Sequence, residues 1–375
     1  MRIAINTRFL LADQLEGVGW YTHEIARRMV AAHPEDTFYF FFDRPFDPQF
    51  VYAPNVVPLV LKPQARLAPL FWIWFERSVP KALRQHGIDV FFSSDSFCSL
   101  SARVPTLMTC HDLVPLHMPE QVQWKHRWFY QKFLPKYLRR ADHLLTVSDY
   151  VKNDIAQSCG IAPDRISTVY NGCREGFVPL PEDEKTAVRQ QFAQGRPYFF
   201  YAGAIHPRKN IPRLIRAFDL FKKNTGSTAK LLLSGRFAWK TGEVRSAYDI
   251  AEYQGDILML GYVSEDDLKR LTAAAHALVY PSLSEGFGLP MLEAMHCDTP
   301  VVAANATCLP EVAGEAALLF DPLSDQALAT ALEKIWADPA FARTLVERGR
   351  AQREKFSWDR AAETVYQRLA ALSAT

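Results

Sequence analysis

The chain has 375 residues, of which 49% are hydrophobic and 22% charged, with 43 basic side chains against 41 acidic ones and a net charge of +2. That length exceeds what a single hydrophobic core organises, so two domains are expected, and the apolar content excludes a disordered chain. The near-balance of charge gives no support for a nucleic-acid partner, and none is expected; any basic surface is local.

In chain order, Arg2–Ile5 reads as a strand, with a glycine-containing loop at Glu16–Gly19 and a helical pattern over Tyr21–Val30. Further strands are predicted at Phe38–Phe42, Val56–Leu61, Val90–Ser93, Thr106–Cys110 and Leu144–Val147. Short apolar runs alternating with amphipathic stretches imply a parallel sheet covered on both faces. The polar stretch Pro179–Pro197 reads as a domain boundary. The pattern then restarts with strands at Tyr198–Tyr201, Lys230–Leu233, Ile257–Leu260, Ala277–Tyr280, Pro300–Ala303 and Ala317–Phe320. Helices are predicted at Ile211–Lys223 and Ser264–Leu271, the latter with Ser264 and Asp267 as a capping pair, and the last helix runs from Ser357 to Ala370. The expected organisation is an N-terminal domain over 1–180, a second over 195–356 and a closing helix over 357–375.

The six cysteines, at 98, 110, 159, 173, 297 and 308, form no C-x-x-C pair, so neither a zinc site nor a disulfide framework is expected and a reduced, cytoplasmic setting fits. The opening MRIAINTRFL enters a strand directly, so no signal peptide is expected. No run of about 18 apolar residues, the length of a membrane span, occurs.

The most informative segment is Ser284-Glu285-Gly286-Phe287-Gly288-Leu289-Pro290-Met291-Leu292-Glu293. A glycine loop between a strand and a helix start presents backbone N–H groups and a positive dipole end, which suits a diphosphate. A carboxylate can accept two hydrogen bonds from a vicinal diol, so Glu285 and Glu293, flanking the loop, suit a sugar on one side and a ribose on the other. Loop, proline and paired carboxylates together favour a binding site over a solvent-exposed corner.

This segment resembles the E-x7-E motif of family-4 retaining glycosyltransferases, which have the two-Rossmann-domain fold called GT-B. The resemblance extends along the chain. Glu16-Gly17-Val18-Gly19-Trp20-Tyr21-Thr22 is similar to that family's glycine loop, and His111-Asp112-Leu113 resembles the His-Asp segment of its mannosyltransferase-like members. Asn171-Gly172 resembles the turn before the interdomain linker, Gly203-Ala204-Ile205-His206-Pro207-Arg208-Lys209-Asn210 the donor-phosphate segment, and the helix with Trp358 the one that crosses back to the first domain. The implied fold is α/β, two Rossmann-like domains facing across a deep cleft, with the acceptor in the first and the nucleotide sugar in the second.

The same resemblance implies residue roles. Arg208 and Lys209 would take the charge that builds on the leaving diphosphate. Many members carry one more arginine just after the strand glycine; Ala204 stands there, so Arg213 or Arg236 is a candidate substitute. Glu285 would bind donor-sugar hydroxyls, Glu293 the ribose, and Gly286, Phe287, Gly288 and Leu289 the sugar or diphosphate through the backbone. His111 would reach the donor sugar, and Asp112 would orient that turn or meet the acceptor. Gly17, Gly19 and Gly203 would admit close backbone approach, and Tyr262 and Val263 would read the base.

The route implied is front-face retention: the acceptor hydroxyl attacks from the leaving-group side and a diphosphate oxygen takes its proton. A double displacement through Glu285 is the alternative. No Asp-x-Asp triplet occurs, and no metal or other cofactor is expected. The donor wording looks most like GDP-mannose, with a UDP-sugar open. Trp124–Arg140 and Arg66–Arg84 mix basic and aromatic residues, which suits an anionic membrane surface or a lipid diphosphate, although inward-facing aromatics are the commoner outcome. The expected acceptor is a polyprenyl-diphosphate-linked saccharide at the inner face of the cell membrane. A catalytically silent nucleotide-sugar-binding partner is the rival reading.

Overall fold

The computed structural model describes residues 1–12, 15–122, 124–237 and 242–374; the side chains of Trp124, Lys125 and His126, part of the first basic-aromatic segment, lie outside the described residues. The chain divides into two units, one formed by Met1–Asn171 with Ser357–Thr375 and the other by Gly172–Phe356.

The first unit is built on seven parallel strands: β1 (Arg2–Asn6), β2 (Thr37–Phe42), β3 (Val56–Val60), β4 (Val90–Ser93), β5 (Thr106–Cys110), β6 (His143–Thr146) and β7 (Ile166–Thr168), in the spatial order β3-β2-β1-β4-β5-β6-β7. Central strands such as β4 and β5 are buried at every residue, which is why they read as unbroken apolar runs rather than alternating ones. β7 has three residues, too few to show a period, and the sequence pattern does not reveal it. The helix Asp149–Cys159 shows how local chemistry sets an element: Ser148 caps it by accepting from the Val151 N–H, and Gly160, at φ 63°, ends it in the left-handed region.

The second unit has six parallel strands: β8 (Tyr198–Ala202), β9 (Lys230–Ser234), β10 (Ile257–Gly261), β11 (Ala277–Tyr280), β12 (Val301–Ala304) and β13 (Ala317–Phe320), in the order β10-β9-β8-β11-β12-β13. Helix Ile211–Thr225 buries Ile211, Leu214, Ile215, Phe218 and Phe221. Each large apolar side chain so buried contributes about 1.5–3 kcal/mol. The expected capping pair is present: Ser264 Oγ accepts from the Asp267 N–H at 3.1 Å and donates to its carboxylate at 2.8 Å.

Three expectations change. The units divide at Asn171/Gly172, ahead of the polar stretch at Pro179–Pro197, which contains helix Glu182–Ala193 of the second unit. That helix buries only Val188 and Ala193, so its sequence looks like a linker. The first helix runs Gly17–Ala32, so Gly17 and Gly19 are in its first turn rather than in a loop before it. The aromatics of the basic segments turn mostly inward: Phe71, Trp74, Phe75, Phe129 and Tyr137 are core residues, while Trp72 and Trp128, with the aliphatic Leu67 and Ile73, remain exposed.

Helix Trp358–Ser373 packs in the first unit against Gly17–Ala32. Trp358 lies edge-on to Tyr21 with centroids 6.1 Å apart, Arg28 pairs with Asp359 at 2.5 Å, and the Tyr366 hydroxyl donates to Asp36 at 2.7 Å.

Candidate active site

In the second sheet the order of winding reverses between β8 and β11, and a parallel sheet opens a crevice beyond its strand ends at such a point. The segments singled out by sequence leave these two strands. Residues Pro207–Lys209 form a single turn after β8, and the loop after β11 leads into helix Leu289–His296, with Gly288 at the helix N-cap at φ 100°. The two segments are tied together by the Leu283 N–H, which donates to the Arg208 carbonyl at 2.8 Å, and by Asn210, whose side-chain amide donates to the carbonyls of Pro281 at 3.1 Å and Pro322 at 2.9 Å.

At their junction lies a buried cluster of charge. The Lys209 ammonium donates to the Glu285 carboxylate and, at 2.8 Å, to the Tyr280 hydroxyl. Arg208 donates from Nη1 to the Ser284 carbonyl at 3.0 Å, and that nitrogen lies 3.5 Å from Glu285 Oε2. Burial alone would push the Glu285 carboxyl up; the Lys209 and Arg208 charges outweigh it and hold it down at about 2. His206 is lowered to about 4 by burial and by Arg208 and Lys209, so it is neutral at pH 7. Two cations therefore face one carboxylate, leaving a net positive charge in a low-dielectric setting. That arrangement suits a diphosphate and charge developing on it.

Glycines bring the neighbouring strand ends close. Gly203, at φ 145°, follows β8 and its N–H donates to the Ser234 carbonyl at 2.9 Å. Gly235, at φ 146°, follows β9; a Cβ there would lie 1.9 Å from the Gly203 carbonyl oxygen, so no side chain fits. Gly235 also donates to the Gly261 carbonyl at 2.8 Å, after which Tyr262 stands 74% exposed. An exposed aromatic beside this backbone suits a flat base, and Val263 follows it.

Glu293 has a partner that sequence reasoning missed. Arg174, partly buried, donates from Nε to the buried Glu293 Oε1 at 2.7 Å. They are separated by 119 positions, and no local pattern marks such a pair. The Phe287 ring packs edge-on against Phe356 at 5.5 Å, so this residue faces the core and would serve a ligand through its backbone. The Glu285 N–H donates to the Thr307 hydroxyl at 3.1 Å, which fixes the loop. Arg213, the other candidate for the arginine absent at Ala204, is held by Asp325 at 2.6 Å and by the Pro322 carbonyl. Arg236 adds to the positive field at His206.

In the first unit, His111 follows β5. Its Nε2 contacts the Ser94 carbonyl at 2.8 Å, and because a carbonyl only accepts, Nε2 carries the proton and Nδ1 is an acceptor. Burial lowers its pKa, so the ring is neutral. Tyr21 lies edge-on to it at 4.9 Å and bonds Thr109 at 3.0 Å, while Thr22 donates to Ser94 at 2.7 Å. The first helix and the ends of β4 and β5 are thereby locked around this ring. Asp112 Oδ1 accepts from the Val114 N–H at 3.1 Å and so orients the turn. Gly19 is needed for close approach, since a Cβ there would lie 2.8 Å from the Phe9 carbonyl oxygen; Gly17 has nothing within 4 Å.

The structure thus joins Arg208, Lys209 and Glu285 in one cluster of the second unit, with Gly203, Gly286, Gly288, Leu289 and Glu293 on the loops and helix around it. Gly19, His111 and Asp112 belong to the first unit. Comparison with known proteins places the chain as a whole. Residues 15–175 match the family described as Glycosyltransferase Family 4, and residues 182–352 match Glycosyl transferases group 1. The chain is 31% identical over 356 residues to O-antigen chain mannosyltransferase B of Escherichia coli, covering 92% of this chain and 93% of that one. It is 31% identical to O-antigen chain mannosyltransferase RfbU of Salmonella typhimurium, over 76% of each chain. Among solved structures, sucrose-phosphate synthase from Thermosynechococcus elongatus superposes with a TM-score of 0.80 at 21% identity, over 100% of this chain and 99% of that one, a likeness of fold. With two parallel α/β units, both family matches and a relative aligned over nearly its whole length, this chain belongs to the family-4, group-1 glycosyltransferases and is an enzyme of that class.

Proposed function

We propose that the enzyme transfers mannose from GDP-mannose, with retention of anomeric configuration, to a saccharide carried on a polyprenyl diphosphate during assembly of a cell-surface polysaccharide. The observation that carries the reading is the buried Arg208–Lys209–Glu285 cluster at the β8/β11 crevice, a net-cationic site for a leaving diphosphate. Mannose as the sugar rests on relatives named as O-antigen chain mannosyltransferases. Arg208 and Lys209 supply positive charge as the glycosidic bond stretches, so no metal ion is assigned to the diphosphate. Glu285, paired to two cations with its carboxyl at about 2, is a weak base and a poor proton acceptor at neutral pH. This favours the front-face route, in which the diphosphate oxygen takes the acceptor proton, over a double displacement through Glu285. His111, neutral with Nδ1 accepting, suits a hydrogen bond from a sugar hydroxyl.

The test is product analysis. GDP-mannose incubated with the enzyme and a lipid-linked mannoside acceptor in excess chelator is expected to give an α-linked product by proton NMR. A β-linked product, or a covalent mannosyl group trapped on Glu285, overturns the front-face reading; turnover that requires added divalent metal overturns metal independence.

A further inference from the structure

The seven-stranded sheet also has a point where its winding reverses, between β1 and β4. Just beyond these strands stands a buried ion pair. Arg8 donates from Nε and Nη2 to Asp95 Oδ2 at 2.9 and 2.7 Å. The other Asp95 oxygen accepts from the Ser93 hydroxyl at 3.2 Å and the Phe97 N–H at 3.1 Å. The guanidinium carbon lies 4.5 Å from the Phe9 ring centre, 4.7 Å from that of Phe71 and 5.6 Å from that of Phe97. In front of this group is a cavity of about 180 Å³, lined also by Phe129 and Tyr130. Among the described residues, neither Arg8 Nη1 nor the Tyr130 hydroxyl makes a hydrogen bond to another side chain or to the backbone.

A buried ion pair costs desolvation that a hydrophobic replacement of similar volume avoids, so fold stability gives little reason for one beside an open aromatic cavity. Recognition gives a better one. A cavity of roughly 150 Å³ takes one benzene-sized ring, so this space fits a single six-membered ring. Asp95 already neutralises Arg8, and a phosphate placed at that guanidinium would meet the carboxylate; Arg66, the second cation of the lining, is exposed to solvent, which screens its charge. A prenyl chain would bury the remaining guanidinium and phenol donors without partners, each losing its hydrogen bonds to water. A neutral ring with apolar C–H faces and hydroxyl edges meets both demands: its faces lie on the phenyl rings, and its hydroxyls accept from Arg8 Nη1 and Tyr130.

We infer that this cavity binds one hexose ring of the acceptor saccharide, and that Arg8, Tyr130 and the surrounding phenylalanines determine acceptor affinity. The inference rests on the reading of the acceptor as a saccharide and is independent of which nucleotide sugar is the donor.

The probe is methyl α-D-mannopyranoside, bound to the full chain without nucleotide and followed by saturation-transfer NMR. Three variants are compared with wild type. Ala68→Phe fills the cavity without removing a polar group, Tyr130→Phe deletes one hydroxyl, and Arg8→Met deletes the guanidinium. Saturation of the sugar ring protons is expected in the wild type, at least ten-fold weaker affinity in Ala68→Phe and Arg8→Met, and a smaller loss in Tyr130→Phe. Thermal unfolding midpoints identify any variant that fails to fold; Arg8→Met leaves Asp95 buried and unpaired, so Ala68→Phe decides if it does. Unchanged sugar affinity in a folded Ala68→Phe variant overturns the inference, as does occupation of the cavity by hexanol or inorganic phosphate in preference to the hexoside. Failure of GDP-mannose as donor would overturn the proposed donor and leave this result standing.

Discussion

Lys209 and Glu285 depend on each other because each is buried. Removing Lys209 takes away a proposed diphosphate contact and also leaves Glu285 with Arg208 as its one cationic partner, 3.5 Å away. Lys209→Ala is therefore expected to lower turnover by roughly 100-fold or more and to destabilise the fold by about 3–5 kcal/mol. Arg208→Ala should lower turnover to a similar degree with a smaller stability loss, since Arg208 is partly exposed. Turnover assays beside urea titrations separate the two effects, and wild-type turnover in either variant removes that residue from the mechanism. The same cluster predicts a pH dependence. The Glu285 carboxyl lies at about 2 against an ordinary 4.5, so the folded form holds its proton less tightly than the unfolded chain does. The stability this confers is complete above pH 4.5 and is lost as pH falls from there towards 2. Urea midpoints measured across that window should fall less steeply in Glu285→Gln than in the wild type; parallel slopes would contradict the assigned shift.

At the scale of elements, the loop after β11 and the turn after β8 are legible in sequence because their chemistry is local. Glycine, proline and charge fall within ten residues, and the strand before and helix after them follow from apolar patterning. What was not legible is pairing across distance. Arg174 with Glu293, and Arg8 with Asp95, join residues 119 and 87 positions apart, and only the order of the strands brings them together. The three-residue β7 and the polar helix Glu182–Ala193 escaped for another reason: one is too short to show a period and the other buries too little to show a face. The glycines of these loops predict a ranking. Gly235→Ala would press a Cβ within 1.9 Å of a backbone oxygen, whereas Gly288→Ala meets a movable Leu309 methyl at 2.9 Å. Both positions carry left-handed backbone, worth about 1–3 kcal/mol of strain, but Gly235→Ala should lower the thermal midpoint more and weaken nucleotide binding more. The reverse order would mean that the β8–β9 contact is not a support of the site.

For the whole molecule, the two parallel sheets follow from runs of apolar residues recurring between helices. The division of the chain did not, because the boundary at Asn171/Gly172 carries no compositional break while the helix after it does. Among the described residues no helix is long and apolar enough to cross a membrane. Any attraction to a membrane surface rests on Trp72, Ile73 and Trp128 with nearby lysines such as Lys132, whose ammonium lies 4.6 Å from the Trp128 ring centre. Flotation with vesicles containing anionic lipid is expected to carry the wild type and to lose most of the Trp72→Ala/Trp128→Ala double variant; equal flotation with neutral vesicles would speak against an electrostatic contribution. The central claim is that the second unit holds a nucleoside diphosphate through fixed charge, with Glu293 on the ribose. Calorimetric titration with GDP and with UDP in excess chelator, repeated on Glu293→Ala, tests it most directly. The account predicts metal-free binding that favours GDP and weakens at least ten-fold in the variant. Binding of neither nucleotide, or equal affinity in Glu293→Ala, would contradict it.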